Sequence, residues 1–124
     1  MAGGFLGKAE ESLASAEADY AARRYNSCAR SAYYAAFQAA VAALQAESLV
    51  PRGRWTHDFV HSEFQGRLVY RRKLYASGFR AVLSDAFEIR ADADYTQRQI
   101  SSREAAELLR SARTLVRAVE KEIQ

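Results

Sequence analysis

A single cysteine, Cys28, leaves this chain unable to form an intrachain disulfide or a cysteine-based zinc site. A reducing cytoplasm is the setting that fits such a chain. There is one proline, Pro51, and the six glycines gather near the start and in the middle. Valine, isoleucine and threonine are sparse while alanine is abundant, a balance that favours helix over strand. No apolar run approaches the roughly 18 residues that a membrane span needs. Residues 1–7 have no basic segment leading into an apolar one, so no signal peptide is expected. Also missing are a Gly-x-Ser-x-Gly nucleophile motif, a glycine-rich phosphate loop and a dinucleotide fingerprint. No cofactor is implied. Cys28 lies in an apolar stretch and is expected in the core rather than as a nucleophile.

What is present is a chain of 124 residues, 49% of them hydrophobic, enough for one domain over residues 1–124 with a real core. Its periodicity predicts five helices. The first covers residues 5–20, with Leu6, Leu13 and Ala16 inward. The second starts at Ala22 or Tyr25 and runs to Glu47. It is apolar nearly all round, from Cys28 through Tyr33 and Phe37 to Leu44, so it is expected at the centre, touching neighbours on several faces. Residues 48–55 hold Pro51 and Gly53 and read as a loop. Within it, Leu49-Val50-Pro51-Arg52-Gly53 resembles a thrombin cleavage sequence by coincidence, so an exposed loop here is open to nicking.

Thr56 is placed to cap a third helix running to about Tyr75, with Asp58 in its first turn. A fourth begins at Ser77-Gly78 and runs through Phe79, Val82, Leu83, Ala86 and Phe87. The fifth opens on the capping box Ser101-x-x-Glu104. Ala105, Leu108, Leu109, Ala112, Leu115, Val116, Val119 and Ile123 then form a full helical stripe. The fold class predicted is all-α, an antiparallel bundle of four to five helices.

The net charge is only +3, but it is unevenly spread. Between Phe64 and Ser84 stand Arg67, Arg71, Arg72, Lys73 and Arg80, with no acid among them. Such a band permits an anionic partner such as RNA or a nucleotide, or forms a solvated helix face.

The stretch richest in chemistry is Arg90-Ala91-Asp92-Ala93-Asp94-Tyr95, at the end of the fourth helix. It puts an arginine, two carboxylates and a phenol where the chain turns. At its simplest this is a helix terminus with an i,i+4 Arg90–Asp94 pair. The second helix carries Arg30, Tyr33, Tyr34 and Phe37 at one-turn spacings. A buried tyrosine hydroxyl needs a partner, and an arginine on an apolar helix must reach an anion or water. Arg30, Tyr33, Tyr34 and Arg90 are therefore expected to converge on one polar site. His57 and His61 have the i,i+4 spacing that lets two imidazoles share an ion. However, the segment reads His-Asp-Phe-Val-His, without the Glu of the zinc proteases. No third ligand is evident, and no metal site is expected.

Four pieces, in order, resemble a HEPN domain of the small stand-alone bacterial and archaeal type, covering residues 9–123. They are Ala29-Arg30-Ser31-Ala32-Tyr33-Tyr34-Ala35-Ala36-Phe37, Thr56-His57 with Phe64 following, the Arg90–Tyr95 segment, and Ser101 onward. The resemblance implies a four- to five-helix bundle, commonly a homodimer. It implies an RNA- or nucleotide-binding protein, in many relatives a metal-independent endoribonuclease that is the toxin of a pair with a small nucleotidyltransferase antitoxin. In that family an Arg is followed by four to six residues and a His. Here Arg90 matches the Arg, but positions 95–97 are Tyr95, Thr96 and Gln97. A phenol is a poor general base at neutral pH. His57, on another helix, can take the role only if folding brings it close. The binding set expected is Arg30, Tyr33, Tyr34, Arg90, Asp94 and Tyr95. Tyr95 is also, by resemblance, a candidate acceptor of AMP from the partner enzyme. The alternative is a non-catalytic dimeric module for protein interaction or nucleotide sensing.

Overall fold

A computed structural model describes residues 3–123. Five α-helices form the bundle: α1 (Gly4–Ala21), α2 (Tyr25–Ala46), α3 (His57–Glu63), α4 (Val82–Tyr95) and α5 (Ser102–Ile123). There is no strand among the described residues. The all-α expectation is met.

α2 is the central helix, packed against α1, α4 and α5 and touched by α3. Its burial explains its composition. Cys28, Ala29, Ala32, Tyr33, Ala35, Ala36, Phe37, Ala39, Ala40, Val41, Ala42, Ala43 and Leu44 are all buried. The alanines favour the helix intrinsically and let neighbouring backbones approach from several sides. Burial and the Asp19 charge push the Cys28 thiol up to about 11, leaving it inert at neutral pH. A turn of residues 22–24, with Arg23 left-handed at φ 64°, folds α2 back along α1.

α5 begins as its capping box predicts. The Glu104 amide donates to Ser101 Oγ at 3.1 Å, and the Ser101 amide donates to Glu104 Oε1 at 3.1 Å. That backbone bond, and then Arg98, holds the Glu104 carboxyl below its ordinary value. The stripe from Ala105 to Val119 is buried as expected, while Ile123, the last residue of α5, is 40% exposed.

The third and fourth helices differ from the prediction. Thr56 caps α3 by accepting from the Phe59 amide at 3.1 Å. The α-helix stops at Glu63, and residues Phe64–Arg71 form a π-helix that ends short of Tyr75. The reason is legible afterwards. An α-helical continuation from Phe64 would turn Arg67 and Arg71 inward with Leu68. The wider i→i+5 turn instead buries Phe64, Leu68 and Val69 and leaves both arginines outside. Ser77–Phe79 is a 3-10 turn, so α4 starts at Val82 rather than at Gly78.

One linker contact sets the position of α4. Asn26, in the first turn of α2, accepts from the Ile100 amide at 2.9 Å and donates to Gln99 Oε1 at 2.9 Å. This ties the α4–α5 connection to the start of α2. It fixes the last turn of α4 beside Arg30.

Candidate functional site

Three helices each contribute one face. From α2 come Arg30, Tyr33, Tyr34 and Phe37. From α3 come His57 and His61, and from α4 come Phe87, Arg90 and Asp94. Within each helix the spacing is three or four residues, which stacks side chains one turn apart.

Tyr33 stands at the centre, fully buried. Its ring lies against Phe37, His57, His61 and Phe87 at centroid separations of 5.9, 5.5, 6.0 and 5.6 Å. Its hydroxyl is hydrogen-bonded to His57 Nδ1 and, at 3.0 Å, to His61 Nε2. A phenol has one proton. It donates to one imidazole nitrogen and accepts an N–H from the other, so the two histidines share one tautomer, both Nδ1–H or both Nε2–H. Burial, followed by the Arg90 charge, lowers the His57 pKa, with Asp58 opposing. Burial, followed by His57, lowers that of His61, again against Asp58. Burial raises the Tyr33 phenol, with Arg90 opposing. At neutral pH the trio is uncharged.

The charge comes from Arg90. Its guanidinium carbon lies 5.3, 5.7 and 5.9 Å from the ring centroids of Tyr34, Tyr33 and Phe87, and its side chain is 13% exposed. Arg90 Nε is 3.2 Å from Asp94 Oδ2, an ion-pair separation. Its N–H is nevertheless directed at no acceptor, and the buried nitrogen is left without a hydrogen bond. The other oxygen, Asp94 Oδ1, accepts from Arg30 Nε at 2.7 Å. One carboxylate is thus shared by two arginines, and the triad keeps one uncompensated positive charge. Arg30, 44% exposed, leads it to the surface. There Arg30 lines a hollow of about 440 Å³ with Arg23, Arg24, Asn26 and Gln99.

The family model for the HEPN domain matches residues 3–122. The chain belongs to the HEPN family. No curated protein matches it. Within this HEPN bundle, folding brings together Arg30, Tyr33, Tyr34, Arg90, Asp94 and His57. Tyr95 is different: it is 76% exposed in the last turn of α4 and joins none of these contacts. His61 and Phe87 complete the cluster, though sequence reasoning gave them no place in it. The i,i+4 spacing of His57 and His61 was the available signal, and it pointed towards a metal. Among the described residues no group of three His, Cys, Asp or Glu side chains is placed to hold one. No described helix is long and apolar enough to cross a membrane.

Proposed function

We propose that this HEPN protein binds RNA at the Arg90 cluster. The observation that carries this reading is the half-buried Arg90 guanidinium, set on aromatic faces beside two neutral imidazoles, with one positive charge that Asp94 leaves uncompensated. The residual positive charge favours a phosphodiester, whose oxygens accept from the accessible part of the guanidinium. The same set has the parts for metal-independent cleavage. His57, neutral at pH 7 and with Nδ1 on the Tyr33 hydroxyl, can accept the ribose 2′-OH proton through its other nitrogen. Arg90 stabilises the charge that develops on the phosphorane. In this reading His57 from α3 takes the place of the histidine that would otherwise follow Arg90.

The test is incubation of purified protein with structured RNA in the presence of a chelator. Cleavage by the wild type, lost in both Arg90→Ala and His57→Ala, supports the enzyme. Salt-dependent binding without cleavage leaves a binding protein. A wild type that shows neither cleavage nor salt-dependent binding overturns the proposal.

The reading extends to partners. As a HEPN protein the chain is proposed to act as a cytoplasmic homodimer and as the toxin of a pair with a small nucleotidyltransferase. The free, exposed phenol of Tyr95 suits an AMP acceptor. Its oxygen would attack the α-phosphorus of ATP, releasing pyrophosphate and losing its proton. Co-expression with such an enzyme, followed by intact mass, tests this. An AMP-sized gain that persists in Tyr95→Phe excludes Tyr95.

A second reading has its own observation. Asp94 already occupies both Arg30 and Arg90, as a closed structural triad would. A non-catalytic interaction or nucleotide-sensing module then follows.

A further inference from the structure

A second groove lies away from the Arg90 cluster. It has a volume of about 810 Å³ and is lined by residues of the π-helix and of the turn after it. Three cations, Arg71, Lys73 and Arg80, and the Tyr70 ring face it, and no acid lines it. Glu47 and Glu122 act on the Tyr75 phenol, but neither lines the groove. Glu47 is held by Arg72 at 2.8 Å.

The basic band divides by partner. Arg67 is paired with Glu63 at 3.3 Å and Arg72 with Glu47. Arg71, Lys73 and Arg80 make no ion pair among the described residues, and they are the three that line the groove. The π-helix keeps Arg71 and Tyr70 outside while burying Leu68 and Val69. Tyr70 is 67% exposed, an aromatic face that nothing in the fold uses.

From this arrangement we infer that the groove is a binding track for single-stranded RNA, with phosphates on Arg71, Lys73 and Arg80 and a base stacked on Tyr70. Free cations beside an exposed aromatic are the two components of sequence-tolerant single-strand binding. The three cations are exposed, and an exposed ion pair contributes at most about 1 kcal/mol. A lone nucleotide would therefore be held poorly. A strand engages all three cations at once and releases counterions from each phosphate. This track rests on the proposal that the protein binds RNA, but it uses none of the residues of the Arg90 cluster.

The experiment is fluorescence anisotropy with a labelled single-stranded RNA of about 12 nucleotides, over a range of salt. The proteins compared are wild type, Arg71→Glu/Arg80→Glu, Tyr70→Ala, Arg90→Ala and, as a surface-charge control, Arg103→Glu. All the groove substitutions are at exposed positions, and circular dichroism checks their folding. The double charge reversal is expected to weaken binding at least about tenfold and to lower the slope of log affinity against log salt by about 1.4. Tyr70→Ala is expected to weaken binding about tenfold with the slope unchanged. Arg103→Glu leaves binding intact.

Loss in the groove variants with Arg90→Ala still binding upholds the track and shifts doubt to the Arg90 site. Loss in Arg90→Ala alone, with the groove variants binding like wild type, overturns the track and leaves that site standing. No RNA binding by the wild type, or an acidic peptide or free AMP competing as well as unlabelled RNA, also overturns it.

Discussion

The Tyr33 hydroxyl on α2 lies 3.0 Å from Nε2 of His61 on α3, while also bonding His57 Nδ1 one turn earlier on that helix. One buried oxygen thus fixes both imidazoles and joins α3 to the central helix.

Removing that oxygen leaves two partly buried imidazole nitrogens without a partner. Tyr33→Phe keeps the ring packing and is expected to destabilise the fold by about 1–3 kcal/mol. Urea denaturation measures this. An unchanged midpoint would mean that the bridge contributes nothing.

The same trio gives stability a pH dependence of known sign. Both imidazole pKa values lie below the ordinary 6.5, chiefly through burial. The unfolded chain takes up protons as the pH falls past 6.5, and the native state lags behind. The contribution is therefore full above that pH and is lost progressively as pH falls towards the folded values. Each histidine can add a slope of at most about 1.4 kcal/mol per pH unit. Thermal melts of wild type and of His57→Gln/His61→Gln from about pH 7.5 to about pH 5 measure it. The wild type is expected to lose more stability than the variant across that interval.

Asp94 neutralises one of the two arginines it touches. Asp94→Asn frees that charge while keeping the side-chain shape. It is expected to tighten RNA binding and to cost about 1–3 kcal/mol of stability. Anisotropy and denaturation read the two effects. Lower stability with weaker RNA binding would favour the closed structural triad.

The loop between α2 and α3 carries Val50, 58% exposed, with Arg52 and Gly53 exposed beside it. Thrombin is expected to cut between Arg52 and Gly53. The two fragments should remain associated in native buffer, because α2 packs against α4 and α5 across the cut. Denaturing gels and size-exclusion chromatography test both statements.

Much of the fold was legible in the sequence because its signals are local. The capping box at Ser101 and Glu104, the Thr56 cap and the all-round apolar face of α2 act within a few residues. The π-helix was not legible. Its cause is a choice between burying Arg67 and Arg71 or widening the turn, which depends on what lies beneath. For the site, one-turn spacing placed Arg30 with Tyr34 and Arg90 with Asp94. That Asp94 joins both arginines, and that His57 meets them through Tyr33, depends on how three helices dock. Asn26, which docks the end of α4, gave no warning in the sequence. Tyr95 adjoins Asp94 in the chain but turns outward at the helix end.

The chain has only two histidines, and both lie in the Arg90 cluster. Their imidazole NMR resonances therefore report on that site alone. Titrating single-stranded RNA into the protein is expected to move the His57 and His61 signals in the wild type and to leave them in place in Arg90→Ala. Resonances that stay fixed in the wild type while RNA binds would contradict the Arg90 site, because the RNA would then be held elsewhere, as on the Arg71–Arg80 groove.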